Sequence, residues 1–332
     1  MELNSILLAH GEGGLATRRL INDVFMSLLS NAFLERCEDA AVFTVGDEKL
    51  AFTTDAFIVE PVFFPGGDIG KLAVAGTVND LASMGAKPLF ISAAFIIEEG
   101  FSIEALHRIT TSFSDWMRRV GAEMIAADTK VVPKGSGGDI FICVAGLGKV
   151  LVDVGVDRVK PGDVVVISGD IARHSAAVLA AREGLETDPP LLSDCAPLWD
   201  IVHAAVDAGV EIHAMRDPTR GGLATTLVEI AEKAGVSITV EEASIPINPQ
   251  VASLCDIYGY DPLYLANEGK MTFFIPPRDS DTLLSVLRGF ENGGDSAVIG
   301  EVNEGEGVFI RTRTGGRRRL IMLEGAQLPR IC

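Results

Sequence analysis

Apolar residues recur at helical spacing from Leu15 to Leu29, directly after the turn-forming HGEGG, and predict a loop running into a helix. Ala40 to Val45 and Leu50 to Val59 are rich in β-forming residues and flank GDEK, a hairpin signal. The pattern then predicts a helix over Ile69 to Met84, stopped by Gly85 and Pro88, and a strand over Leu89 to Ile97. A helix over Ile103 to Val120 and strands over Glu123 to Ala127 and Asp139 to Val150 complete this half. The expectation is long helices laid over a mixed sheet.

A second unit begins near Val156, where VKPGDVVVISG reads as a turn entering a buried strand. Helices follow at Ala172 to Arg182 and Leu198 to Ala208, then strand, helix and strand over Val210 to Val240 and again over Met271 to Gly300. The fold class is therefore α/β in two domains, 1–155 and 156–323. Residues 324–332 have no periodic pattern and read as a mobile tail, whose nine residues span up to roughly 30 Å when extended.

Composition narrows the possibilities. A chain of 332 residues exceeds one typical core, and 48% hydrophobic residues exclude disorder away from the ends. The formal charge of −18 repels phosphate backbones, so nucleic acid is not an expected partner. The one basic cluster, Arg311, Arg313 and Arg317 to Arg319, is broken by Gly315 and Gly316 and reads as a solvated hairpin. Five scattered cysteines form no CxxC, which fits reduced thiols. No apolar run approaches a membrane span and no leader pattern opens the chain, so a cytoplasmic protein is expected.

Neither GxxxxGK[ST] nor a strand-borne GxGxxG occurs, so a nucleotide would have to bind in another way. His10, Gly11, Gly13 and Gly14 in HGEGG could turn backbone N–H groups toward an anion, or could simply start the helix; Glu12 weakens the first reading. Asp39, Asp55, Asp80 and Asp128 sit at strand ends and helix starts, where Asp also serves as an ordinary cap or turn residue. As a set they offer the carboxylate oxygens that Mg²⁺ and nucleotide phosphates require. Asp80 is the hardest to assign to a cap, because its helix is otherwise full of small apolar residues. RDPTRGGL and LANEGKM are further polar loops beside glycines.

Taken in order, HGEGG, TTDAF, GTVNDLASMGAKP, DTKVV, DPTRGG, NEGK and the terminal PRIC resemble one family along essentially the whole chain: the HypE carbamoyl dehydratases of [NiFe]-hydrogenase maturation. That family is a branch of the aminoimidazole ribonucleotide synthetase-like ATP-using superfamily. The resemblance implies an N-terminal sheet that pairs with a second subunit in a homodimer, ATP under the glycine loop, an α/β C-terminal domain and a flexible tail. It implies ATP contacts from His10, Gly11, Gly13, Gly14, Asn79, Asp80 and Asp128, Mg²⁺ on Asp39, Asp55, Asp80 and Asp128, and Lys130 and Glu268 near the thiol of Cys332. Glu12 departs from the small or hydroxylated residue expected in that loop.

The resemblance also implies that Cys332 carries the substrate. The carbamoyltransferase HypF would load it, ATP-dependent dehydration would turn the S-carboxamide into a thiocyanate, and a HypC–HypD complex would accept the cyanide for the hydrogenase iron. A thiol beside its own carboxylate has a raised pKa, which Lys130, helped by Arg330, would offset; Glu268 would take the N–H proton. Pro329 would stiffen the tail. Two alternatives remain open at this point: a superfamily enzyme acting on a free small molecule, and a nucleotide-binding maturation scaffold.

Overall fold

The computed structural model describes residues 5–325, 327, 328 and 331. After the glycine loop, α1 (Leu15–Leu20) passes through a segment of wider π turns, Ile21–Met26, into the short α2 (Ser27–Leu29). The first sheet then forms from β1 (Ala41–Val45) and β2 (Glu48–Phe57), and a small hairpin of β3 (Phe63–Phe64) and β4 (Gly67–Asp68) leads into α3 (Ile69–Ser83). β5 (Ala86–Glu98), α4 (Ile103–Val120), β6 (Glu123–Val132) and β7 (Ile140–Val150) complete the unit. Its strand order is β1-β2-β7-β5-β6, antiparallel except for the parallel β5–β6 edge pair.

α3 starts because the Asp68 carboxylate accepts hydrogen bonds from the Gly70 and Lys71 N–H groups, which have no partner within the helix. It is buried nearly all round, which its small residues allow: a Cβ on Gly76 would stand 2.6 Å from the Phe57 ring. α4 covers α3 and buries only the stripe Ile109, Phe113 and Met117, at the i, i+4 spacing of one helical face. β5 runs longer than its pattern predicts: it passes through Pro88 at a register shift, where the missing N–H costs no regular ladder bond.

The second unit contains β8 (Val164–Ile167), α5 (Arg173–Arg182), α6 (Trp199–Asp207), β9 (Ala214–Arg216), α7 (Gly222–Ala234), β10 (Ser237–Glu241) and α8 (Pro249–Tyr258). β11 (Thr272–Ile275), α9 (Ser280–Leu287), β12 (Ala297–Asn303), β13 (Gly307–Arg311) and β14 (Arg317–Leu320) follow. The sheet order is β14-β13-β10-β12-β8-β11-β9. Alternation of side chains along a strand gives it two buried faces: Val166 and Phe273 join one core, Val165, Ile167 and Phe274 the other. α8 is absent from the expected pattern, and the basic stretch is the β13–β14 hairpin, with Arg311 paired to Glu241 and Arg318 to Asp261.

One core is shared by both units, since Phe57, Leu72 and Val78 of the first pack in the same cluster as Val178, Val202 and Phe273 of the second. Two of the tail residues join it. Leu328 and Ile331 are buried, so the freely mobile tail expected over 324–332 is not what these residues show: their apolar side chains hold the segment against the core. Among the described residues, no helix is long and apolar enough to cross a membrane.

Candidate active site

Three of the four expected aspartates converge at the seam between the units. Asp39 precedes β1, Asp55 lies on β2 facing α3, and Asp80 is on the side of α3 turned toward them. A fourth carboxylate, Asp217 just after β9, completes the group. The Thr53 hydroxyl donates to Asp80 Oδ2 at 2.6 Å. Burial, then repulsion from Asp217, Asp39 and Asp55, pushes the Asp80 carboxyl well above its usual range. Asp217 is raised in the same way, by burial and by Asp39. Asp39 is raised less far, because burial is opposed by Arg216, whose Nε stands 3.2 Å from its Oδ1.

The fit of a divalent cation rests on two oxygens: Asp39 Oδ2 and Asp217 Oδ2 are buried without a hydrogen-bond partner among the described residues. Unpaired carboxylate oxygens in a mutually repelling group are the hard donors that Mg²⁺ takes. No three His, Cys, Asp or Glu side chains among the described residues close a metal site by themselves, so waters or phosphate oxygens would have to supply the remaining ligands.

Beside this group lies a cavity of about 580 Å³, lined among others by Gly11, Gly13, Thr17, Arg18, Arg216, Arg220 and Lys233. Four cationic side chains line it beside two acids, Glu232 and Glu229, which pair with Arg18 and Arg216; the lining keeps a net positive charge that suits an anionic ligand. Arg220 reaches from it toward the acids, with Nη2 3.9 Å from Asp55 Oδ1. The glycine loop forms one wall, and the first amides of the helix behind it are already used. Leu15 N–H and Ala16 N–H donate to the Leu323 and Glu324 carbonyls, and Gly13 N–H donates to Thr17 Oγ1. The C-terminal segment therefore takes the N–H groups of the first helical turn, and Thr17 takes that of Gly13. Gly13, at φ +78°, and Gly14 instead permit close approach: a Cβ on either would meet Arg220 at 2.8 Å or the Leu323 carbonyl at 2.5 Å. His10 is buried and accepts from Leu7 N–H through Nδ1.

Asp128 and Lys130 are elsewhere. Asp128 pairs across from Ala94 and through it aligns with Cys143, whereas Asp55 aligns with Val144, so the two aspartates lie on opposite faces of the sheet. Both Asp128 and Lys130 are exposed on the uncovered face and bond each other at 2.7 Å, which lowers the Asp128 pKa. Within one chain the expected contribution of Asp128 to the acid group does not form, and the expected partner of Lys130, Cys332, lies outside the described residues. Around Asp128 the uncovered face is built from small residues: Thr54, Ser92, Ala94, Ala126, Cys143 and Ala145.

Asn79 also differs from its expected contact with a nucleotide. It is fully buried, its Oδ1 accepts from Leu198 N–H, and its Nδ2 lies 3.3 Å from the Ala196 carbonyl and 3.4 Å from that of Glu268. It ties α3 to the segments that carry Glu268 and residues 193–198. Glu268 is buried there, its backbone joined to Asp194 and Ala196. Nearby, Ile331 reaches His174 through its carbonyl. Cys332 itself, with Pro329 and Arg330, lies outside the described residues.

Arg216, Asp217, Arg220, His174 and Ser193 do not stand out in the sequence as candidate site residues. RDPTRGGL flags the loop of the first three but not the outlying carboxylate's part in the acid group.

The chain is an AIR synthase related protein: the N-terminal domain model of that family matches residues 37–150 and the C-terminal one residues 160–313. Thiamine monophosphate kinase from Aquifex aeolicus shares the fold at a TM-score of 0.67 and 20% identity. Within that class, the carbamoyl dehydratase HypE of Cupriavidus necator is 43% identical over 330 residues, covering 98% of this chain and 94% of that one. A crystal structure of HypE in complex with ATP aligns at a TM-score of 0.83 and 42% identity over 99% of this chain and 100% of that one. One of a HypE–HypF complex aligns at 0.86 and 44%, over 92% and 99%. The chain belongs to the HypE carbamoyl dehydratase family of hydrogenase maturation.

Proposed function

We propose that the chain converts an S-carboxamide on its own Cys332 into a thiocyanate with ATP, supplying the cyanide ligand of the [NiFe]-hydrogenase iron. The observation that carries this reading is the burial of Ile331 between the two units, in the segment network that holds Glu268. A tail residue held in the interior tethers the substrate carrier bonded to it, which removes the entropy cost of a bimolecular encounter.

The reaction removes one water. The amide oxygen of S–C(=O)–NH₂ is a poor leaving group; transfer of the γ-phosphoryl group to it releases ADP. Loss of both nitrogen protons and departure of the oxygen as phosphate then leave S–C≡N. Glu268 is the base for an N–H proton, since the Asn79 and Asp194 contacts hold its backbone in place. The cationic cavity is the fitting place for the nucleotide, with its phosphates toward the aspartates. Mg²⁺ would be held by Asp39, Asp55, Asp80 and Asp217, where it offsets phosphate charge. HypF is the proposed carbamoyl donor and a HypC–HypD complex the cyanide acceptor.

Asp128 and Lys130 enter this scheme through a homodimer. The uncovered face of small residues ending at edge strand β6 lets a second sheet approach closely and would carry both side chains to a neighbouring copy.

The test is intact-protein mass spectrometry with HypF, carbamoyl phosphate, ATP and Mg²⁺, beside Cys332→Ala. A carbamoyl adduct that loses one water only with ATP, and is absent from the variant, supports the reading. ATP turnover undiminished in the variant, with no adduct on the native chain, overturns it in favour of a free substrate.

A further inference from the structure

His174, in the first turn of α5, is completely buried, and every hydrogen bond around its ring has a definite direction. The Ile331 carbonyl can only accept, so Nε2 carries a proton. Burial lowers the pKa of the ring and keeps it neutral, so Nδ1 is an acceptor. Its partner at 2.8 Å is Ser193 Oγ, which must donate. Ser193 Oγ in turn accepts from Cys195 N–H at 3.0 Å. The chain of donors therefore runs from the Cys195 amide through the Ser193 hydroxyl and the imidazole to the backbone of the tail.

Both ends of this chain are held. Ser193 is pinned through its own N–H to the Pro65 carbonyl beside β3, and a Cβ on Gly66 would stand 2.8 Å from Ser193 N, so loop and serine fit only with glycine there. The Phe64 ring meets the imidazole edge-on with centroids 5.2 Å apart, which fixes its tilt. The same 193–196 segment bonds the backbone of Glu268. One short segment thus fixes the tail's last peptide carbonyl and the proposed base relative to each other.

We infer that His174, set in one tautomer by Ser193, is the positioning residue that seats the Ile331 carbonyl and thereby aims the side chain of residue 332 at the reacting groups. Consecutive Cα atoms are about 3.8 Å apart, so a seated Ile331 carbonyl limits how far the residue bonded to it can range. The contact is to backbone, so it holds the tail whatever group the sulfur carries. The inference deepens the proposed function and rests on Cys332 being the carrier.

The experiment uses the full chain, carbamoylated in advance by HypF, and follows water loss under single-turnover conditions with saturating ATP and Mg²⁺. His174→Leu removes the donor and is expected to slow dehydration roughly 10- to 100-fold, the worth of one buried hydrogen bond with its unpaired partner. His174→Gln keeps a donor and is expected to return the rate to within about 5-fold of the native chain. Ser193→Ala should be intermediate, with the ¹⁵N spectrum of the His174 ring losing the pure Nε2–H signature. Dehydration at the native rate in His174→Leu overturns the inference, as does an equal loss in the leucine and glutamine variants at matched melting temperatures. A native chain that takes up no carbamoyl group would instead overturn the reading of Cys332 as carrier.

Discussion

Arg216 of the second unit places its Nε 3.2 Å from Asp39 Oδ1 of the first, and its other nitrogens 3.5 Å from Glu38 and 3.2 Å from Glu229. A single buried guanidinium thus balances carboxylates from both halves, and the surrounding acids hold its pKa above the usual arginine value. This is how an acid group and a cationic cavity share one wall.

Removing that guanidinium leaves buried carboxylates unbalanced. Arg216→Met should destabilise the chain by about 3–5 kcal/mol in urea unfolding, since a broken buried pair leaves an uncompensated charge. Arg216→Lys should recover part of it, because one ammonium cannot meet three acceptors from a planar fork. A loss below about 1 kcal/mol in the methionine variant would show the acids to be balanced by other groups.

The acid group makes the metal-free protein sensitive to pH in a stated direction. Asp80 and Asp217 have folded pKa values above the ordinary 3.8, so the folded state binds more protons than the unfolded one between those values. Stability from these groups is therefore fully present below about 3.8 and is lost as pH rises through the raised folded values. In chelator, melting temperature should fall from mildly acidic to neutral pH, and Asp80→Asn should flatten that slope. Mg²⁺ should raise the melting temperature of the native chain near neutral pH more than that of Asp80→Asn, as binding to the folded state adds RT ln(1 + [L]/Kd).

Glu268→Gln should leave carbamoylation of Cys332 intact and slow the ATP-dependent loss of water by roughly 10²- to 10⁴-fold, the span of general-base catalysis. Stopped single-turnover samples read by mass spectrometry separate the two steps. Dehydration unaffected by the variant would assign the proton to another group.

Asn79→Ala removes the link between α3, the Leu198 amide and the Glu268 carbonyl. The Glu268 carbonyl keeps its bond from Ala196 N–H, so the main loss is the partner of the buried Leu198 amide, which should cost about 1–3 kcal/mol in thermal or urea unfolding. If Asn79 instead contacts nucleotide, the variant would lose ATP affinity in calorimetry while keeping its stability.

Lys130→Ala should not change the stability of the chain, since Lys130 is exposed and its one described ion pair is on the surface. It should lower dehydration, and mixing it with Cys332→Ala subunits should restore activity if a second copy delivers Lys130. Mixed dimers with no more activity than the separate variants would rule out that arrangement.

The helices Ile69–Ser83 and Ile103–Val120 and the strands of the first sheet were legible from apolar spacing and from Gly85 and Pro88 after the first helix, because helix and strand periods and stop signals are local properties. So were the family, from its motifs in order, and the carboxylates Asp39, Asp55 and Asp80 as candidates. Which side of a sheet a residue occupies was not: Asp55 and Asp128 look alike in their motifs, and only strand register separates them to opposite faces. The use of the Leu15 and Ala16 amides by Leu323 and Glu324, and the pairing of His174 with Ile331, join residues more than 150 positions apart. Such contacts leave no periodic trace in a single chain. Local pattern determined the elements and the chemistry available; the tertiary packing alone decided which of those groups meet, because hydrogen bonds and charges act through space over a few ångströms and not along the sequence.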